Sequence, residues 1–114
     1  MNFVMTGSNV EATYIEPVNN EPDDAGNITP LTDLGKTTIK FQVQGSADIT
    51  TTDVPATAPT GGGSIDQTVV VPALGQKQAS VDFWATATDT SGNESVPSAK
   101  TTLSIDKLAP MPPN

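Results

Sequence analysis

The stretch that most constrains the fold is residues 81–89, Val-Asp-Phe-Trp-Ala-Thr-Ala-Thr-Asp, which runs into the polar segment 90–95. Apolar side chains occupy alternate positions of this stretch: Val81, Phe83, Ala85 and Ala87. The positions between them are mostly polar, and a period of two is typical of a β-strand that buries one face. We therefore predict a central strand that is followed by a glycine-containing turn.

Shorter segments of the same kind recur along the rest of the chain, separated by glycine, proline, asparagine or aspartate. We predict further strands at 1–5, 10–16, 36–44, 65–72 and 98–105, a threonine-rich edge strand at 48–54, and a turn at 73–76. In the strand at 10–16, Val10, Ala12 and Tyr14 form the inward set. No useful length of sequence has a helical period. Six or seven short strands in about a hundred residues predict an all-β, antiparallel β-sandwich.

The 114 residues suffice for one domain with one modest core. We place that domain at 1–106 and interpret the proline-rich segment 107–114 as an extended tail or linker. The chain contains no cysteine, so its packing has no disulfide support. Its first residues lack the basic and long apolar regions of a secretory signal, and no later segment is apolar enough to span a membrane. The chain is thus either complete without a signal of its own or a fragment.

Charge disfavours two classes of partner. The chain has 13 acidic residues against five lysines and no arginine, for a formal charge of −8. Nucleic-acid binding depends on clustered lysine and arginine, and an anionic membrane surface repels an acidic protein. We expect neither partner.

Catalysis is also disfavoured by composition. Without histidine, cysteine or arginine, the commonest general base, the best thiol nucleophile and the usual oxyanion clamp are missing. The acidic pairs Asp23 with Asp24 and Asp89 with Glu94 lie in turn-like sequence, where solvated loops are the default. We predict that the protein is not an enzyme, and we keep a carboxylate enzyme only as a third hypothesis.

Calcium is an alternative ligand for the same acidic segments. The loop 19–27 offers several oxygen ligands, and Asp89, Asn93 and Glu94 offer a second set, but neither spacing matches an EF-hand. Asx-type turns, in which an aspartate or asparagine side chain caps its own backbone, explain both clusters without a metal. We favour the turns and predict no cofactor.

Trp84, the single tryptophan, falls between the inward positions of its strand and therefore on the outer face of the sheet. An exposed large aromatic residue on such a face often marks a contact with a partner. The alternative is cross-strand packing against threonines and lysine stems. We favour the packing and retain Trp84 as a candidate contact.

Several motifs together resemble a fibronectin type III module of the bacterial and phage type. They are Tyr-Ile-Glu-Pro at 14–17, the loop 19–27, Pro-Leu-Thr-Asp-Leu at 30–34, the strand 36–44, and Ala-Thr-Asp-Thr-Ser-Gly-Asn-Glu-Ser at 87–95. The resemblance covers nearly the whole chain and implies an immunoglobulin-like sandwich of about seven strands. Two positions depart from it: Tyr14 stands where the family has a core tryptophan, and Val81 where it has a corner tyrosine.

In a sandwich, the acidic loop and the turn at 90–97 lie at the same end. We take that end as the candidate surface for a partner, and its candidate residues are Asp23, Asp24, Asn27, Trp84, Asp89, Asn93 and Glu94. The leading hypothesis is a non-catalytic virion protein of a phage, a capsid decoration or tail-associated protein that contacts other virion proteins. The alternative is a spacer or carbohydrate-contacting module of a secreted bacterial enzyme or adhesin, which would contact cell-surface glycans and lie outside the cell. The tail, Asp-x-x-Ala-Pro-x-x-Pro, resembles the linker between tandem modules of the family.

Overall fold

The computed structural model describes residues 1–7, 9–71 and 77–113, and these contain seven strands and no helix. The strands are β1 (Asn2–Thr6), β2 (Asn9–Ile15), β3 (Leu34–Val43), β4 (Ile49–Pro55), β5 (Ser64–Val69), β6 (Gln78–Asp89) and β7 (Thr101–Asp106). In this part of the chain there is, accordingly, no helix that could cross a membrane.

The strands form two antiparallel sheets, one of three strands in the order β1-β2-β5 and one of four in the order β4-β3-β6-β7. The stretch 81–89 belongs to β6, which is the longest strand and lies between β3 and β7. Its register places Phe83 beside Phe41 and Ala85 beside Ile39. The predicted β-sandwich is confirmed, and the threonine-rich segment is, as predicted, an edge strand, β4.

The core lies between the two sheets and is centred on Phe83, which is fully buried. The Phe83 ring lies 5.5 Å from that of Phe3 and 5.6 Å from that of Phe41, in tilted contact. The inward set predicted for β2 is also confirmed, since Val10, Ala12 and Tyr14 are all buried. Ala87 shares the inward face of β6 but is only half-buried.

Two predicted strand boundaries need correction. The strand predicted at 98–105 begins only at Thr101, because residues 95–98 bond to β6 partly through serine hydroxyls instead of a regular ladder. The strand predicted at 65–72 ends at Val69. Pro72 and the turn predicted at 73–76 lie outside the described residues.

The molecule is elongated, with principal extents of 67 × 26 × 19 Å. β3, with ten residues, spans only about 34 Å at 3.4 Å per residue. At one end of the sandwich a hairpin projects from the chain between β2 and β3. At the other end β7 stops at Asp106 and residues 107–113 continue without regular secondary structure.

Candidate interaction surface at the loop end

Three connecting segments, 16–33, 56–63 and 90–100, meet at the same end of the sandwich, here called the loop end. The amide of Thr90 donates to the carbonyl of Asp33 at 2.9 Å, and the amide of Leu34 donates to the carbonyl of Pro59 at 2.9 Å. These bonds tie each segment to a neighbour. The acidic segment and the turn after β6 therefore lie at one end, as the sequence predicts.

The acidic segment is a loop, as predicted, but it has the shape of a hairpin and is closed by an isolated β-bridge between Asn19 and Pro30. The amide of Leu31 donates to the carbonyl of Val18, and the amide of Asn20 donates to the carbonyl of Thr29, each at 2.9 Å. The side chain of Asn20 adds a second bond to Thr29, at 3.2 Å. Paired backbone groups explain how a segment so rich in turn-forming residues is ordered away from the core.

The tip of this hairpin is an Asx-type turn, Asp-Asp-Ala-Gly-Asn at 23–27. Asp23 Oδ1 accepts hydrogen bonds from the amides of Ala25, at 3.0 Å, and Asn27, at 2.9 Å. The Asp23 backbone closes the turn through bonds with Asn27 and Gly26. Asp24 is exposed at the tip. The turn satisfies its own backbone, which is what the Asx interpretation predicted.

The same turn recurs after β6, as Asp-Thr-Ser-Gly-Asn at 89–93. Asp89 Oδ1 accepts from the amides of Ser91, at 3.0 Å, and Asn93, at 2.9 Å, and the backbone closes through Asn93 and Gly92. Here the Asn93 side chain also donates to Asp89 Oδ2, at 3.0 Å. These hydrogen bonds lower the pKa of the Asp89 carboxyl, and the bond from the Asn93 side chain has the largest effect. Both turns have the sequence Asp-x-x-Gly-Asn, so one local motif explains both acidic clusters.

The carboxylate oxygens of Asp23 and Asp89 that looked like calcium ligands therefore accept hydrogen bonds within their own turns. Among residues 1–7, 9–71 and 77–113, no group of three or more acidic, histidine or cysteine side chains is arranged to hold a metal ion.

Glu94 follows the second turn and folds back onto the outer face of the four-stranded sheet. Its Oε2 accepts from Lys40 Nζ, at 2.9 Å, and from the hydroxyl of Thr86, at 2.7 Å. The Lys40 ammonium and the Thr86 hydroxyl hold the pKa of Glu94 below its usual value. Nearby, Lys36 Nζ lies 3.1 Å from Asp53 Oδ2, and its hydrogen bond likewise lowers the pKa of Asp53.

These two pairs border a shallow polar cleft of about 370 Å³ on the same face, whose floor includes Thr38. Thr38 is buried and donates to Asp53 at 2.9 Å. Each carboxylate of the cleft is paired with a lysine and held ionised, so neither is prepared to donate a proton as a general acid. Chemically, the cleft presents a polar surface with balanced charge.

Trp84 lies on the outer face of the sheet, as its position predicts, but it is only 5% exposed. The ammonium group of Lys100 lies 4.6 Å from the centroid of its ring, and Lys40 is its cross-strand neighbour on β3. The ring is covered by a lysine, as the favoured packing interpretation predicts, and it is not the exposed aromatic side chain of the contact alternative. The packing alternative describes this residue.

The most buried carboxylate at the loop end is that of Glu16, which is 2% exposed and was not among the residues predicted from the sequence. Its oxygens accept hydrogen bonds from the amides of Thr57, at 2.9 Å, and Gly63, at 3.0 Å, and from the Thr57 hydroxyl. The Glu16 amide in turn donates to the Gly63 carbonyl, at 2.9 Å. The carboxylate thus fastens the entry of the hairpin to the segment 56–63.

Two sequence signals pointed to this arrangement. Glu16 has the same parity as the inward residues of β2, and a glycine run at 61–63 often marks a close approach of two backbones. A Cβ atom on Gly63 would lie 2.7 Å from Glu16 Oε1 and 2.1 Å from Thr57 Oγ1, so only glycine fits there. Burial raises the pKa of the Glu16 carboxyl, but the bonds from Thr57 and Gly63 outweigh it and the pKa lies below its usual value.

The candidate residues fall into three groups in space. Asp89, Asn93 and Glu94 belong to the second turn and its attachment to the sheet. Asp23, Asp24 and Asn27 form the tip of the projecting hairpin. Trp84 lies under Lys100.

Comparisons of the chain with protein-family models, with curated protein sequences and with solved structures each gave no match.

Proposed function

We propose that this chain is a non-catalytic interaction module that binds other protein chains through its loop end, as a capsid decoration or tail-associated protein of a phage particle. The observation that carries the proposal is the pair of matching Asp-x-x-Gly-Asn turns at that end. Each turn is folded by its own hydrogen bonds. Preorganised loops lose little conformational entropy when they bind a partner, and this favours a recognition role.

Charge indicates the chemistry of the partner. Between residues 17 and 33 the chain carries four acidic residues and no basic one: Glu21, Asp23, Asp24 and Asp33. Acidic surfaces associate fastest and most specifically with surfaces that present lysine or arginine. The partner is therefore a protein chain with a basic patch.

We also propose that the sandwich is of the fibronectin type III type. The motifs of the sequence and the two sheets, β1-β2-β5 and β4-β3-β6-β7, support this assignment. The replacement of the family's core tryptophan by Tyr14 is compatible with it, because the Tyr14 hydroxyl forms a buried hydrogen bond of 2.6 Å with Thr37. That bond satisfies the one polar group that the substitution introduces.

The test is site-specific photo-cross-linking in the source organism, with a photoreactive residue in place of Asp24 or, as a matched control, Asp48. Both are exposed acidic residues in connecting segments, but Asp48 follows β3 at the opposite end of the sandwich. We expect position 24 to cross-link to one structural protein of purified particles. Cross-links only from position 48 would overturn the binding surface.

Two further results would overturn either the location in a phage particle or the non-catalytic role. A chain that never sediments with particles is not a virion protein. Hydrolysis of a glycan or an ester that is lost in Asp89→Ala would show an enzyme.

The spacer module remains a second candidate, and one observation favours it. The first residue, Met1, lies at the loop end, where its sulfur accepts a hydrogen bond from Ser98 at 3.2 Å. The tail leaves from the opposite end, where the amide of Lys107 donates to the carbonyl of Lys77 at 2.7 Å. Chain ends at opposite poles allow modules to be joined in series. Cross-links from position 24 to a glycan-binding or enzymatic domain of the same polypeptide would support this candidate.

A further inference from the structure

A groove of about 320 Å³ opens at the loop end along the seam between the two sheets. Its floor includes Ala85 and Ala87, whose small side chains leave the space unfilled, together with the ring of Tyr14. One wall is the segment 95–98, and the other is the end of β2 at Ile15. The lining is mostly apolar, in contrast to the polar cleft on the outer sheet face.

The segment 95–98 forms a wall because of the way it pairs with β6. Two serine hydroxyls accept hydrogen bonds from backbone amides of β6. The Ser95 hydroxyl accepts from the Ala87 amide at 2.9 Å, and the Ser98 hydroxyl accepts from the Ala85 amide at 3.0 Å. Their own amides donate to the carbonyls of the same two alanines, at 2.8 and 2.9 Å. The edge of β6 is thus closed there, and a ligand of the groove must enter from the side of the exposed rim.

The rim of the groove exposes three large apolar side chains to water. Val96 is 78% exposed, Ile15 is 64% exposed and Met1 is 54% exposed. Covering such side chains gains about 25 cal/mol for each Å² removed from water. An apolar ligand of the groove would therefore be bound mainly by burial of the rim.

The same chain carries a segment with matching chemistry, residues 108–113, Leu-Ala-Pro-Met-Pro-Pro. Leu108 is 52% exposed and Met111 is 88% exposed. Three prolines favour an extended conformation, which already has little conformational freedom to lose on binding. Proline-rich segments of this kind bind in shallow apolar grooves that contain aromatic residues.

The tail cannot reach the groove of its own molecule. Gln78 pairs with Asp106, so the tail begins seven to nine residues along β6 from Ala85 and Ala87, a distance of roughly 23–30 Å. The tail is fastened at that far end, where Lys107 Nζ donates to the Val71 carbonyl at 2.6 Å. The seven residues from 108 to 114 extend only about 22 Å in the polyproline II conformation, even without a reversal of direction.

We infer that the tail of one copy binds in the apolar groove of a second copy, head to tail. Such a contact joins different surfaces of the two molecules, so it repeats and gives open chains or closed rings. The contact buries less than the roughly 1,200 Å² of a standard interface, so the association is weak. This inference does not depend on the partner proposed for the loop tips.

Sedimentation velocity of the full chain tests the inference, over a concentration range from about 20 µM to about 500 µM that suits a weak interface. We expect the weight-average mass to rise above the monomer value of 11.8 kDa with concentration. We also expect the rise to be larger at about 0.5 M salt than at about 0.05 M, since salt screens the repulsion between two acidic copies. A monomer throughout the range, or association that weakens with salt, would overturn the inference.

Substitutions distinguish this contact from other modes of association. Val96→Asp damages the groove and Met111→Asp damages the tail, and each variant should be monomeric. Val70→Asp is the matched control, because Val70 is 68% exposed but is not part of the groove or the tail. All four proteins should have similar melting temperatures, since the three substituted side chains are exposed.

An equimolar mixture of Val96→Asp and Met111→Asp gives the decisive result. The first has an intact tail and the second an intact groove, so the mixture should form dimers and nothing larger. Failure of the mixture to associate, or association of either variant alone at the level of the unsubstituted chain, contradicts the head-to-tail contact. Loss of association in Val70→Asp would also overturn it.

Discussion

The two Asp-x-x-Gly-Asn turns of this protein have the same internal hydrogen bonds but different attachments to the sandwich. The turn at 23–27 is the tip of a hairpin that projects from the loop end, whereas the turn at 89–93 continues directly from β6. A glutamate stabilises each region. Glu16, at the entry of the hairpin, is buried and bonded to Thr57 and Gly63, while the Glu94 side chain is 47% exposed and paired with Lys40.

The difference shows that the turn motif and its support are separate contributions to the structure. The motif needs only five consecutive residues, because an aspartate carboxylate and a glycine complete it. The support depends on residues far apart in sequence, and its energy depends on burial. Removal of a buried carboxylate that accepts from three donors therefore costs more stability than removal of one in a surface ion pair.

The largest expected effect is that of Glu16→Ala. The substitution leaves two amides and a hydroxyl without their buried acceptor, which we expect to cost about 3 kcal/mol of the free energy of unfolding. Urea denaturation measures this directly. NMR chemical shifts should also change at residues 17–31, because the hairpin entry is released from the segment 56–63.

Glu94→Ala is the comparison for that experiment. Its ion pair with Lys40 is half exposed to solvent, so the loss should stay below about 1 kcal/mol. Equal losses in the two variants would contradict the conclusion that burial, and not charge pairing, makes the hairpin support strong.

Acid should reveal the same difference between the two glutamates. The bonds from Thr57 and Gly63 place the pKa of Glu16 in the folded protein below its ordinary value of 4.5. A group of this kind contributes stability that is complete above pH 4.5 and is lost as the pH falls through the folded-state pKa. Glu16→Gln lacks this contribution at every pH, so the gap in stability between it and the unsubstituted chain should be widest near neutral pH and should narrow in acid.

The control series for the acid experiment uses Glu94→Gln. The stability gap for Glu94→Gln should be small near neutral pH and should also narrow in acid, since Lys40 lowers the pKa of Glu94, but by less than the gap for Glu16→Gln because solvent screens the exposed pair. A gap for Glu16→Gln that stays constant from about pH 7 to about pH 3 would mean that the pKa of this carboxyl is not displaced by folding.

The sequence predicted well whatever depends on periodicity. Alternation along residues 81–89 located the central strand, and parity identified the inward residues of β2, because side chains of a strand alternate between its faces. Local turn chemistry was also readable, since Asp-x-x-Gly-Asn places the carboxylate next to the amides that it accepts from. Neither result requires knowledge of distant residues.

Features that depend on distant residues were not predictable. Trp84 was assigned to the correct face and to packing against lysine stems, but the lysine that lies over its ring, Lys100, comes from another segment and was not identified. Glu16 has the inward parity of β2, but it lies 41 residues from Thr57, so no local pattern could identify the donors that surround its carboxylate. The hairpin shape of the loop at 18–31 was not predicted, because the segment lacks the alternating apolar residues that indicate pairing and is held by a bridge between Asn19 and Pro30.

The smallest expected effect compares the two turn glycines. Gly26 and Gly92 have φ angles of 83° and 89°, and a Cβ atom at either position would have no neighbour within 4 Å. Alanine at each position therefore introduces backbone strain alone, on the order of 1 kcal/mol. The hairpin tip can open by itself and release the strain, whereas the second turn is held by Glu94 and by the serines that bond to β6.

Gly92→Ala should accordingly lower the melting temperature more than Gly26→Ala. Gly26→Ala should instead speed hydrogen exchange of the Ala25 and Asn27 amides. Equal shifts of the melting temperature would show that the hairpin tip is as firmly coupled to the sandwich as the second turn.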